Sequence, residues 1–144
     1  MSGKLFVDTN IFLYAHDRAD PIKQARAREV IRAANGPVVV STQVMQEFFV
    51  GATRKLQVPA QAVKRVLQAW QPFEIVQITP ERVFEAIDIQ ILNHISFWDA
   101  LIVAAAAAAE CPVLLTEDLN DGQVISGVRL ENPFKRKAES EGKS

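Results

Sequence analysis

Lys4-Leu5-Phe6-Val7-Asp8-Thr9-Asn10-Ile11-Phe12-Leu13-Tyr14-Ala15 reads as a short strand that stops at a carboxylate and turns straight into a helix. The run from Leu5 to Val7 is continuously apolar rather than alternating, as expected of a strand buried on both faces. Asp8, Thr9 and Asn10 are cap-type residues, and a helix over the following apolar stretch is the natural continuation. A strand that feeds a helix and ends in an acidic residue is the opening unit of a parallel α/β domain. In such sheets, ligand sites form outside the carboxyl ends of the strands.

The rest of the chain repeats this alternation. Asp20-Pro21 opens a helix with proline in its first turn, running to about residue 34, where Asn35-Gly36 ends it. Residues 37–40 form a second strand rich in β-branched side chains. Ser41-Thr42 caps a helix whose apolar stripe is Met45, Phe48, Phe49, Ala52 and Leu56. Glu47 lies off that stripe, on the side of Gly51, and Phe48-Phe49-Val50 reads as core packing. Pro59 starts a further helix, and residues 73–78 form a third strand. Thr79-Pro80-Glu81 starts a helix carrying Val83, Ile87 and Ile91. Ser96 caps a helix that is apolar nearly all round over residues 100–109 and therefore belongs inside. Pro112 stops it, residues 113–116 form a fourth strand, and residues 128–130 a short fifth. Strands alternating with helices give an α/β, three-layer α/β/α architecture around a mainly parallel sheet of four to five strands. The expected domain is a single unit over residues 1–134, followed by a disordered charged tail from 135 to 144.

Composition narrows the function classes. The 144 residues are 49% hydrophobic, enough for one well-filled core, and the net charge of −1 gives no global attraction for a polyanion. Arg26, Arg28, Arg32, Arg54, Lys55, Lys64 and Arg65 could form a local basic face, although each taken singly reads as a solvated helix residue. The single cysteine, Cys111, excludes an intrachain disulfide and reads as a buried, inert thiol. His16 and His94 are too few and too scattered for a zinc site. The longest apolar run, residues 100–109, falls short of the ~20 needed to span a bilayer. No apolar signal-type segment precedes the first strand, and the expected setting is the cytoplasm without membrane attachment.

Four acidic residues carry the chemistry. Asp8 ends the first strand, Asp118 follows the fourth, and Glu47 and Asp99 lie near the starts of two apolar helices. Each has a local alternative. Asp8 reads as a helix cap, Asp99 as the acidic member of a capping box over Ser96-Phe97-Trp98-Asp99, Glu47 as a surface glutamate, and Asp118 as a turn residue. Glu117 and Asp121 compete with Asp118 for any role in that stretch. A doubly wound sheet nevertheless brings all four to one end. Two carboxylates about 4 Å apart repel by roughly 4 kcal/mol at an effective dielectric of ~20, so such a cluster calls for cations or raised pKa values. Hard divalent ions prefer this oxygen-rich setting.

With these residues in view, the chain resembles the PIN-domain ribonucleases, and most closely the VapC-type toxins of type II toxin–antitoxin pairs. The resemblance runs from Phe6 to about Asn132. It rests on Phe6-Val7-Asp8-Thr9-Asn10, on Ser41 through Glu47-Phe48, on Ser96-Phe97-Trp98-Asp99-Ala100-Leu101-Ile102, and on Leu114-Leu115-Thr116-Glu117-Asp118. It implies RNA cleavage dependent on one or two Mg²⁺ or Mn²⁺ ions held by Asp8, Glu47, Asp99 and Asp118. Thr9, Asn10, Ser41 and Thr116 would take supporting polar roles. It also implies a homodimer, a structured RNA substrate such as transfer RNA, and a partner antitoxin that occludes the site. Leu119-Asn120-Asp121-Gly122 departs from the pattern of many relatives and leaves the role of Asp121 open. The alternatives are a non-catalytic RNA- or protein-binding module of the same fold, and an aspartyl phosphotransferase. Asn10, where that chemistry commonly wants a second aspartate, argues against the latter.

Overall fold

The computed structural model describes residues 3–135, so the expectation for the tail beyond them lies outside the described residues. Six strands form one sheet in the order β3-β2-β1-β4-β6-β5. They are β1 (Leu5–Val7), β2 (Val38–Ser41), β3 (Glu74–Val76), β4 (Val113–Leu115), β5 (Val124–Ile125) and β6 (Val128–Glu131). All neighbours pair in parallel except β5, which runs antiparallel to β6. The sheet thus has one strand more than the four to five expected. The extra strand is a two-residue hairpin arm closed by Ser126-Gly127, both with positive φ, +51° and +79°. That twist suits a tight hairpin.

Six helices flank the sheet: α1 (Thr9–Ala15), α2 (Pro21–Arg32), α3 (Thr42–Arg54), α4 (Ala60–Gln68), α5 (Pro80–Asn93) and α6 (Phe97–Ala108). Their starts follow the local chemistry. The side chains of Asp20, Ser41, Thr79 and Ser96 each accept a backbone N–H three residues on, which satisfies a donor the helix leaves orphaned. Pro112, three residues beyond the α6 cap at Ala109, keeps that helix from continuing into β4.

α6 is the central core helix. Every residue from Ala100 to Ala106 is buried, and its alanines let α5, β2, β4 and β6 approach closely. Packing also selects the inner face of α5. α5 does not bury Val83, Ile87 and Ile91; it buries Ala86 and Ile89, leaving Phe84, Ile87, Ile91 and Leu92 exposed. α5 carries apolar residues around most of its circumference, so spacing could not select the inner face. Ala86 is fully buried, and its small side chain suits the close packing of α5 on α6. A similar rotation occurs in α3, where Val44, Phe48, Gly51 and Ala52 face inward and Phe49 and Val50 face solvent. Gly51 explains it. A Cβ there would lie 2.8 Å from a methyl carbon of Leu13 on α1, so glycine permits the close α1–α3 approach. Among the described residues, no single helix is long and apolar enough to cross a membrane.

Candidate functional site

Strand order reverses between β1 and β4, and the carboxyl ends of these two strands lie side by side, Val7 opposite Leu115. This is the switch point at which open α/β sheets place their ligands. A cavity of about 440 Å³ opens there. Asp8 from the end of β1, Glu47 from α3, Asp99 from α6 and Asp118 from the loop after β4 all line it. Four elements distant in the chain therefore deliver one carboxylate each to a single cavity.

Each carboxylate is held differently. Asp8 caps α1, but one oxygen takes only the N–H of the next residue, Thr9, at 2.7 Å. The other accepts the Thr116 hydroxyl at 2.8 Å. The side chain is 5% exposed, and its carboxyl is pushed up to about 7, chiefly by burial, with the charges of Asp118 and Glu47 adding to the effect. The two donated hydrogen bonds pull the other way and do not prevail. Glu47 accepts the Thr9 hydroxyl at 2.7 Å and the Gln43 amide at 3.2 Å. Both oxygens of Asp118 accept the Asn10 amide, at 2.9 and 3.1 Å. Its carboxyl is also raised, first by burial and then by Asp99, Glu117 and Glu47. Asp99 differs from all three. The capping bond of α6 is the one its backbone N–H donates to Ser96, at 3.1 Å. The Asp99 carboxylate accepts no hydrogen bond from the described residues. A capping role thus accounts for Ser96 and leaves the Asp99 side chain for the cavity.

The supporting residues fall into two groups. Thr9, Asn10 and Thr116 touch the carboxylates directly, and the Thr116 oxygen also accepts the Asp118 N–H at 3.2 Å. Ser41 is fully buried, caps α3 through Val44 N–H, and does not line the cavity. Asp121 does not line it either; it accepts the Asn132 N–H at 2.9 Å and braces the turn before β5. Glu117 points elsewhere, into an ion pair with Lys23 and a hydrogen bond from Tyr14. Asp118 is therefore the acidic residue of this stretch that faces the cavity.

Two further residues belong to the site, neither of them among the polar candidates of the sequence. Gln43 is buried one helical turn before Glu47, and its amide donates both to Glu47 and to the Trp98 carbonyl. It ties α3 to the entrance of α6, and the i,i+4 spacing from Glu47 was the available clue. Trp98 lines the cavity while remaining 62% exposed, an aromatic face at the rim.

The donor set suits a hard divalent ion. Four carboxylates and no thiolate or imidazole line the cavity; burial first, and then their mutual repulsion, raises the pKa values of Asp8 and Asp118, a cost that a cation would relieve. Among the described residues, no group of three or more Asp, Glu, His or Cys side chains is arranged to hold a metal ion. Mg²⁺ keeps much of its water and takes one or two carboxylates together with substrate oxygens, so its binding does not require such a group.

Known proteins resemble this chain as follows. The model of the PIN domain matches residues 5–121. Among solved structures, a toxin–antitoxin complex from Klebsiella pneumoniae is 22% identical, with a TM-score of 0.67 over 90% of this chain and 97% of the other. VapC20 of Mycobacterium tuberculosis, described as a toxin that cleaves the sarcin-ricin loop, is 18% identical, with a TM-score of 0.69 over 87% and 98%. VapBC2 of Rickettsia felis, bound to a promoter DNA fragment, is 20% identical, with a TM-score of 0.62 over 90% and 98%. No curated protein matches the chain.

Proposed function

Since the chain belongs to the PIN-domain family, we propose that it is a metal-dependent endoribonuclease and the toxin of a toxin–antitoxin pair. The observation that carries this reading is the meeting of Asp8, Glu47, Asp99 and Asp118 in one cavity at the switch point of the sheet. One or two Mg²⁺ or Mn²⁺ ions bound there would supply positive charge to phosphate oxygens and make water a better nucleophile. The residues of the chain do the positioning. Thr9 and Thr116 fix the two oxygens of Asp8, Thr9 and Gln43 fix Glu47, and Asn10 fixes Asp118. Asp99, with no donor engaged, completes the ring. Water adds to phosphorus in line with the departing 3′ oxygen, which leaves with a proton, giving 5′-phosphate and 3′-hydroxyl ends. Trp98 at the rim offers a face on which a base can stack.

The solved complexes similar to this chain support a cognate antitoxin as the protein partner, its segment covering the cavity. The exposed stripe of Phe84, Ile87 and Ile91 on α5 is the surface a homodimer would cover. The setting is the cytoplasm, where structured RNA such as transfer RNA is the substrate. Incubation of end-labelled structured RNA with the purified protein in Mg²⁺, in Mn²⁺ or in chelator tests the reading. Discrete cuts that need metal and vanish in Asp99→Asn are expected. A folded, antitoxin-free protein that never cuts would leave the binding-module alternative.

A further inference from the structure

A second cavity, of about 580 Å³, adjoins the first, and Lys55 lines both. Arg18 and Arg28 also line it, together with His16, Gln24 and Asp17. Three cations thus face one carboxylate. None of the three has an ion-pair partner among the described residues. Nearby cations on α2 are treated differently: Lys23 is paired with Glu117 and Arg26 with Glu29. Among the described residues the Arg28 guanidinium makes one hydrogen bond, from Nε to the Ala15 carbonyl at 2.8 Å, which orients the group and spares its other donors. His16 packs edge-on against Phe48, with ring centroids 5.5 Å apart. Leu56, Val58 and Pro59 add an apolar wall.

We propose that this cleft is the entry track for the RNA backbone, in which Arg18, Arg28 and Lys55 bind phosphodiesters flanking the one cut in the carboxylate cavity. The inference rests on the nuclease reading above. It also resolves a difficulty of charge. A chain of net charge −1 with an acidic site has no general attraction for RNA, so the phosphates need a local cationic path that ends at the site. The cleft supplies that path, and Lys55 is its junction. An apolar wall beside free guanidinium and ammonium groups suits a single strand, whose sugars and bases need contact as well as its phosphates. Of the basic residues prominent in the sequence, Arg32, Arg54, Lys64 and Arg65 lie outside both cavities.

The test uses the whole chain and a cleavable RNA oligonucleotide in Mg²⁺, comparing wild type with Arg18→Ala/Lys55→Ala. Both positions are exposed, so the double variant is expected to fold. At about 50 mM salt, KM should rise roughly 30-fold, with kcat within twofold of wild type. The slope of log(kcat/KM) against log salt should flatten by about 1.4, since each phosphate contact on a single strand contributes ~0.7. Arg28→Lys should keep the salt slope and raise KM several-fold. Lys64→Ala/Arg65→Ala, outside the cleft, should behave as wild type. An unchanged KM and slope in a wild type that cuts RNA would overturn the track and leave the nuclease intact. Inhibition by polyglutamate that is lost in the double variant, with KM for RNA unchanged, would assign the cleft to an acidic peptide and overturn it equally. A wild type that neither cuts nor binds RNA would remove the nuclease reading and the track together.

Discussion

Replacing Asp8 by Asn should stabilise the metal-free protein at neutral and alkaline pH, and the size of the effect follows from the site. The Asp8 carboxyl titrates near 7 in the fold, against 3.8 for an unperturbed aspartate, because the side chain is buried beside other carboxylates. Between those values the folded state holds a proton that the unfolded chain has released. Stability therefore falls as pH rises from about 4 to about 7 and levels off above. A gap of ~3 units at 1.36 kcal/mol each corresponds to about 4 kcal/mol lost by pH 8. Asparagine removes this cost. It retains an acceptor for the Thr9 N–H, but its NH₂ group meets the Thr116 hydroxyl less well, at about 1–2 kcal/mol. The net gain at pH 8 is about 2–3 kcal/mol, or roughly 10 °C in Tm for a chain of this size. The gain should shrink to zero or below near pH 4. Urea unfolding in chelator at several pH values between 4 and 8, followed by circular dichroism, measures it. A variant no more stable than wild type at pH 8, or a difference that does not close toward pH 4, would refute the argument that Asp8 is a strained buried carboxyl.

Three further outcomes follow from the same geometry. Mg²⁺ at 100 times its Kd should raise wild-type stability by about 2.7 kcal/mol; calorimetric titration and thermal melts should show this for wild type and not for Asp8→Asn. Trp98→Ala should raise KM for RNA about tenfold, with kcat and Tm little changed, because one stacking contact is worth ~1–3 kcal/mol and the exposed ring adds little to the core. Gln43→Leu conserves bulk but removes one of the two donors to the Glu47 carboxylate and the donor to the Trp98 carbonyl; kcat should fall about tenfold while Tm stays within a few degrees, measured on the same preparation.

What the sequence alone determined is local. Caps at Asp20, Ser41, Thr79 and Ser96, the apolar runs of β1, β2 and β4, and the all-round apolar α6 each depend on residues within a turn or two of one another. They mark the elements, and the alternation of elements marks a parallel α/β sheet. The four acidic residues were legible as candidates from equally local signals, since Asp8, Asp99 and Asp118 stand at the edges of elements and Glu47 lies off the apolar stripe of α3. Tertiary structure decided which of them meet and how they are held. The hydrogen bonds from Thr116 to Asp8 and from Asn10 to Asp118 each span 108 residues, and only the β1–β4 register makes them. The choice of Asp118 over its neighbour Glu117 depends on Lys23 and Tyr14 waiting on the other side of the loop. The inner faces of α3 and α5 were set by Gly51 against Leu13 and by the close packing of α5, through its buried Ala86 and Ile89 face, on α6. On helices that are apolar on several sides, close packing selects the face, and the partner surface that selects it is absent from any local window of sequence.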